Sequence, residues 1–183
     1  MASLFDLGGP DGFVYKDDVL SVEEEQGLLE AGRLLPFKEF KFHGYIGFRR
    51  VVSFGWKYDF TKAKIERSAQ LPDFLFPVRE RAAQLAAIAP NNFEQALVTE
   101  YRPGTVIGWH RDKSVFGDVA GISLLSPCTF RFRKKVGAKW DRFSRELAPR
   151  SGYVLRGEVR NLWEHSIPPV SELRYSITFR TLR

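Results

Sequence analysis

The sequence predicts a mainly β (α+β) protein, with N-terminal helices on one face of an antiparallel sandwich or barrel. A double-sheet jelly roll is a leading candidate for that architecture. Three observations carry that reading. From residue 93 onward the chain is a series of short apolar or alternating runs broken by turn residues. The two stretches with helical signals both lie in the first half. And 183 residues, 44% hydrophobic and 27% charged, make one domain of ordinary globular composition.

In chain order, Val14–Tyr15 reads as an edge strand. Ser21-Val-Glu-Glu24 is a capping box, serine and glutamate each accepting from the other's backbone N–H, and it opens a helix that ends near Gly32. Phe48–Phe54 is a further strand, and Leu75–Ala89 is an Ala-rich helix stopped by Pro90-Asn91-Asn92. Strands then follow at Phe93–Tyr101, Val119–Ser126, Cys128–Lys134, Gly152–Arg156 and Leu173–Arg180. No repeat or linker interrupts the chain, so residues 1–183 form a single domain, the helices within 1–92 and the β core within 93–183.

Cys128 is the only cysteine, which excludes an internal disulfide and the thiolate-rich zinc folds. It lies in an apolar strand as a packing residue. The start, MASLFDLGGPDG, lacks the pattern of a secretion signal, and no window approaches the ~20 apolar residues of a membrane span. The expectation is a cytoplasmic protein with no membrane partner. Nothing apolar and repetitive demands a dimer, so a monomer is expected.

The formal net charge of +6 is unevenly spread, since residues 1–32 carry one Lys against eight Asp and Glu. That leaves +13 on residues 33–183. The densest basic stretch is Arg131-Phe-Arg133-Lys134-Lys135 with Lys139, Arg142 and Arg145. Clustered cations of this kind suit a polyanionic partner or a merely soluble basic surface.

With thiolates excluded, a metal must be held by histidine and carboxylate. His110 and Asp112 flank Arg111, and on an extended segment such residues point to one side. His165, at the end of a predicted strand, supplies a third ligand. Two His and one carboxylate suit an Fe(II) oxygenase, or a hydrolytic zinc with bound water. His43 stands apart from these motifs and reads as a surface histidine. In the last strand, alternation puts Arg174, Ser176, Thr178 and Arg180 on one face and Tyr175, Ile177 and Phe179 on the other. The two arginines, ~20 Å apart along the strand, can reach the two ends of a dicarboxylate if both lean inward.

Three ordered motifs then carry a resemblance: Tyr101-Arg-Pro103-Gly104-Thr-Val-Ile107-Gly-Trp-His110-Arg-Asp112, Gly157-Glu158-Val-Arg160-Asn-Leu-Trp163-Glu-His165 and Arg174-Tyr-Ser-Ile-Thr178-Phe179-Arg180. Together they resemble the AlkB family of Fe(II)/2-oxoglutarate-dependent dioxygenases. The resemblance implies a double-stranded β-helix with His110, Asp112 and His165 as iron ligands. It implies that Arg174 pairs with the distal carboxylate of 2-oxoglutarate, that Arg180 lies near its keto-acid end and that Tyr101 hydrogen-bonds it. Ser176 matches a further cosubstrate-facing position, where the family often carries Asn, and Thr99 is a similar departure. The implied activity uses O2 to demethylate N-alkylated bases of the 1-methyladenine and 3-methylcytosine type in DNA or RNA, giving succinate and formaldehyde.

The resemblance also implies a nucleotide-recognition lid within 1–92, over Phe48–Tyr58. There Phe54, Trp56 and Tyr58 would stack on a base taken out of the helix, and Arg50 or Lys57 would hold phosphate. The alternative is that Phe54 and Trp56 are core residues of an edge hairpin. Ser114 stands where repair members often carry an acidic base-reading residue, and the spacing around His165 looks more like the branch that includes tRNA-modifying members. Glu158 and Arg160 read as a structural charge pair. A protein-directed dioxygenase and a non-catalytic nucleic-acid-binding module remain as alternatives.

Overall fold

The computed structural model describes residues 9–42 and 45–183, with the side chains of 41–47 outside the description. His43 therefore lies outside the described residues. Thirteen strands and three helices follow one another in the described chain. They are β1 (Phe13–Lys16), α1 (Val22–Arg33), β2 (Lys38–Phe42), β3 (Tyr45–Phe54), β4 (Trp56–Asp59), β5 (Lys64–Arg67), α2 (Phe76–Ala86), β6 (Gln95–Tyr101), β7 (Ile107–His110) and β8 (Phe116–Leu124). Then come β9 (Cys128–Val136), β10 (Lys139–Leu147), β11 (Gly152–Leu155), α3 (Gly157–Asn161), β12 (Glu164–Ile167) and β13 (Arg174–Leu182).

Local chemistry sets the helix boundaries. The capping box forms as the sequence predicts: Glu24 N–H donates to Ser21 Oγ at 3.1 Å and Ser21 N–H to Glu24 Oε2 at 2.7 Å. Helix α2 ends three residues earlier than predicted, because Ala87 adopts a left-handed conformation with φ of 51°. Its Ala82 and Ala86 are fully buried, which lets the helix approach the sheet closely.

A seven-stranded sheet in the order β1-β11-β8-β13-β6-β3-β2 faces a four-stranded one in the order β10-β9-β12-β7. This is the double-stranded β-helix, and strands β4 and β5 add a separate hairpin. Helices α1 and α2 cover the outer side of the larger sheet, where Leu75, Ala86, Ile122, Val154, Ile177 and Phe179 form one core. A second core, with Phe130, Phe132, Leu147, Leu155 and Trp163, fills the space between the sheets. The alternation predicted for the last strand is seen: Tyr175, Ile177 and Phe179 join the helix-side core, leaving Arg174, Ser176, Thr178 and Arg180 to face the smaller sheet. Among the described residues no helix is long and apolar enough to cross a membrane.

Candidate metal and cosubstrate centre

Strand pairing assembles the centre. Strand β12 lies between β9 and β7, and its register sets His165 directly opposite His110. Their rings meet edge to face with centroids 4.3 Å apart. Asp112 follows two residues after His110, and its Oδ1 lies 3.6 Å from His110 Nε2 and 3.7 Å from His165 Nε2. One ligand atom from each of the three residues falls within 4.8 Å of the others. His110 Nδ1 sits 2.9 Å from the Gly108 carbonyl oxygen, so a proton held there leaves Nε2 free to face an ion.

The charges are set for binding a cation. Burial opposes ionisation of Asp112, but Arg180 and the two imidazoles hold its carboxyl well below the usual carboxylate range. Arg180 Nε donates to Asp112 Oδ2 at 2.8 Å and its Nη1 to Gln95 Oε1 at 3.0 Å. Burial, reinforced by His110, pushes His165 down to about 3, so it is neutral and carries a lone pair near pH 7.

Arg160 holds the chain that bears Asp112. It is 5% exposed, and its guanidinium donates to the carbonyls of Asp112, Lys113, Phe116 and Gly117. The predicted Glu158–Arg160 pair does not form. Glu158 instead accepts from Lys134 Nζ at 2.7 Å and Trp163 Nε1 at 3.1 Å, because Arg160 is turned the other way by the backbone oxygens it satisfies.

At the other end of β13, Arg174 is 1% exposed. Its Nη2 donates to Ser123 Oγ at 3.1 Å, and its guanidinium lies 4.6 Å from the centre of the Tyr101 ring. Its Nε and Nη1 are buried without a hydrogen-bond partner. A buried guanidinium with two orphaned donors is costly unless an anion completes it, and a carboxylate has the matching geometry. Tyr101 Oη and Ser176 Oγ are 3.1 Å apart beside it. Thr99, opposite Ser176 on β6, is 2% exposed. Cys128 is also buried, and burial raises its thiol against the pull of Arg174. The donors therefore fit both groups: a divalent iron at His110, Asp112 and His165, and a carboxylate at the two orphaned N–H groups of Arg174.

The lid residues separate. Register sets Arg49 opposite Tyr101 and Arg50 opposite Glu100, so the two arginines lie on opposite faces of β3. Arg50 makes a bidentate pair with Glu100 at 2.8 Å on the helix side, beside the Tyr175 hydroxyl. Phe54 is 7% exposed within the helix-side core. The expectation that Arg50 and Phe54 reach a substrate is corrected by this parity. Trp56 lies under Arg67, 4.0 Å from guanidinium to ring, and lines a cavity of about 220 Å³ with Arg79, Asn91 and Phe93. Lys57 is spent on Glu66 at 3.8 Å, and Ser114 sits in an exposed turn just past Asp112.

Tyr58 has neighbours the sequence did not suggest. Phe60 packs edge to face on Tyr58 at 5.0 Å and on Phe40 at 5.5 Å. Lys113, next to Asp112, reaches over both Tyr58 and Phe60 at 5.2 and 5.3 Å. Arg49 lies 3.7 Å over Phe40, and burial lowers its pKa within the electrostatic reach of Tyr101, Arg180 and Asp112. Arg49 is the functional candidate the sequence reading missed. The only signal for it was the alternation of β3, and that needs the β6 partner to fix which face is which.

Comparison with known proteins agrees with the geometry. The family described as the 2OG-Fe(II) oxygenase superfamily matches residues 12–180. Among curated relatives, the Arabidopsis thaliana "Alkylated DNA repair protein ALKBH8 homolog" is 29% identical over 183 aligned residues, covering 86% of this chain and 51% of that protein. The Mus musculus "tRNA (carboxymethyluridine(34)-5-O)-methyltransferase ALKBH8" is 28% identical over 167 residues, covering 87% of this chain and 24% of that protein. The chain thus spans about half the length of the first relative and a quarter of the second. Among solved structures, OsALKBH1 superposes with a TM-score of 0.66 at 15% identity, covering 93% of this chain and 96% of that one. A Pseudomonas putida prolyl-4-hydroxylase gives 0.65 at 12% identity, covering 94% and 93%.

Proposed function

Since this chain belongs to the 2OG-Fe(II) oxygenase superfamily, in its AlkB family, we propose that it oxidises an alkyl group carried by a base of a nucleic acid, with RNA as the first substrate class. It is a dioxygenase whose cofactors are Fe(II), 2-oxoglutarate and O2. When bound, these supply oxidation of a C–H bond coupled to decarboxylation of 2-oxoglutarate. For an N-methyl base the balance is complete. Methyl base, 2-oxoglutarate and O2 give hydroxymethyl base, succinate and CO2, and the hydroxymethyl group then leaves as formaldehyde with its hydroxyl proton transferred to the ring nitrogen.

The chain's own residues bind and orient. His110, Asp112 and His165 hold the iron, Arg174 takes the distal carboxylate with its two orphaned N–H groups, and Tyr101 and Ser176 border the cosubstrate. Arg180 keeps Asp112 ionised and in place. The observation that carries the substrate class is the aromatic group of Phe40, Tyr58 and Phe60, flanked by the cations Arg49 and Lys113, the latter adjacent in the chain to Asp112. Aromatic faces suit an extruded base and neighbouring cations suit its phosphates. The names of the ALKBH8 relatives favour RNA over DNA, while the "DNA repair" in one of them keeps N-alkylated DNA as the second reading.

The test is succinate and formaldehyde release with Fe(II), 2-oxoglutarate and O2, on matched RNA and DNA strands carrying 1-methyladenine or 3-methylcytosine. Formaldehyde tracking succinate on RNA is the expected result. Turnover on DNA alone would select the repair reading. Succinate at the same slow rate with and without every strand would reject N-methyl bases as the substrate.

A further inference from the structure

The basic run of residues 131–145 divides between two faces of the smaller sheet, and the outward half is not a random scatter of charge. Register places Arg133 opposite both Glu164 on β12 and Arg142 on β10, Arg131 opposite Ser166, and Lys135 opposite Trp140. These residues alternate with Phe130, Phe132 and His165, which point into the core, so they share the outer face. Lys134 goes the other way, to Glu158, and Arg145 covers the Tyr15 ring.

Trp109 joins the outer face from β7. There Arg133 lies between two indoles, 4.5 Å from Trp109 and 4.4 Å from Trp140, with Arg131 5.1 Å from Trp109. Glu164 fixes Arg133 at 2.6 Å and Ser166 holds Arg131 at 3.1 Å. The stack is pre-ordered, so little side-chain freedom is left to lose on binding. Lys135 and Arg142 are exposed and make no ion pair among the described residues. Trp140 is 39% exposed.

Position gives the surface its meaning. Strand β7 is one of the two edge strands of the smaller sheet, β10 being the other. On its inner side it carries the metal ligand His110, whose side chain is 39% exposed, and on its outer side the adjacent Trp109. A polymer whose target base enters at His110 has only to cross the edge of β7 to lie on Trp109. From there four strands extend for about 14 Å, the span of a few stacked nucleotides at ~3.4 Å each.

We propose that the outer face of this sheet, from Trp109 across Arg133 to Trp140 and Arg142, is a docking track for the single-stranded RNA that flanks the target base. The proposal rests on the nucleic-acid reading of the active site and adds where the rest of the polymer lies. Indole and guanidinium planes stack bases without reading sequence, while Lys135 and Arg142 neutralise phosphates.

The test uses the whole chain, wild type, Lys135→Glu/Arg142→Glu and Trp140→Ala, none of which touches the iron or cosubstrate site. Binding of a fluorescent single-stranded RNA is read by anisotropy from 50 to 200 mM salt. Turnover is read on a long modified strand and on the free modified nucleoside. The charge-reversed protein is expected to lose at least 10-fold in RNA affinity and about 1.4 units of salt slope. Trp140→Ala should lose about 5-fold. Both should raise KM for the long strand, with kcat and nucleoside turnover unchanged. Equal RNA binding by all three proteins, or no RNA binding by the wild type, would overturn the track. So would equally tight, equally sensitive binding of an acidic peptide, which would assign the surface to a protein partner. If the wild type oxidises no base while the variants still lose RNA affinity, the track stands and the proposed activity falls.

Discussion

Arg174 sets the cost of a buried charge against two N–H groups left open to a ligand. Its charge is fully buried, and Nε and Nη1 have no partner. A buried ion carries a desolvation penalty of roughly several kcal/mol, which an apolar chain in its place does not. Arg174→Met is therefore expected to keep or raise the melting temperature of the cosubstrate-free protein while weakening 2-oxoglutarate binding by at least 100-fold. A large loss of stability in thermal melts, with cosubstrate affinity preserved, would contradict this. His165 gives a second residue-scale expectation. Its folded pKa of about 3 lies below its ordinary 6.5, so between those values the unfolded chain binds more protons. Stability of the metal-free protein is then complete above about pH 6.5 and falls as the pH drops toward 3, by about 2 kcal/mol at pH 5. Urea melts of chelated protein at pH 7.5 and 5 measure it, and His165→Gln should flatten the difference.

At the scale of elements, Arg160 ties the turn that carries Asp112 and Lys113 to Phe116 and Gly117 at the start of β8. Arg160→Ala orphans carbonyls at four residues in one step, and the expected cost is about 3 kcal/mol. The displaced Asp112 should weaken metal affinity by ~10–100-fold. Arg160→Lys should rescue little, since one ammonium cannot cover the carbonyls of Asp112, Lys113, Phe116 and Gly117. Equal metal titrations of wild type and Arg160→Ala would disprove the role. The elements also explain what the sequence could disclose. His110 and Asp112 share one short segment, and Arg174 and Arg180 share one strand whose alternation is visible without its neighbours. The lid was opaque for the opposite reason. In β3 every side chain is assigned to a face only by pairing with β6, so Arg49 and Arg50 look alike until that register is known. The aromatic group needs Phe40, Tyr58 and Phe60 from two separate segments. Strand β10 was read only as charge, because most of its side chains are solvent-exposed and little apolar pattern remains.

At the scale of the molecule, the space between the sheets carries charge at both ends: Arg174 in the interior, and Asp112 with Arg180 and two imidazoles at the metal end. Neither end is complete in the protein alone, so the cosubstrate is expected to act as part of the structure. A ligand that binds only the folded state at 100 times its Kd stabilises by about 2.7 kcal/mol. In a chain of this size that corresponds to roughly 5–10 °C in melting temperature. Redox-inert Mn(II) in place of Fe(II) separates binding from turnover. Mn(II) with 2-oxoglutarate should produce the full rise. Mn(II) with 2-oxobutyrate, which keeps the keto-acid end and lacks the distal carboxylate, should produce only a fraction of it. The gap between the two should vanish in Arg174→Met and persist in Trp140→Ala. An equal shift from both acids in the wild type would mean that Arg174 does not receive the far carboxylate. The alignment of dicarboxylate and strand, with the metal at one end of β13 and Arg174 at the other, would then have to be abandoned.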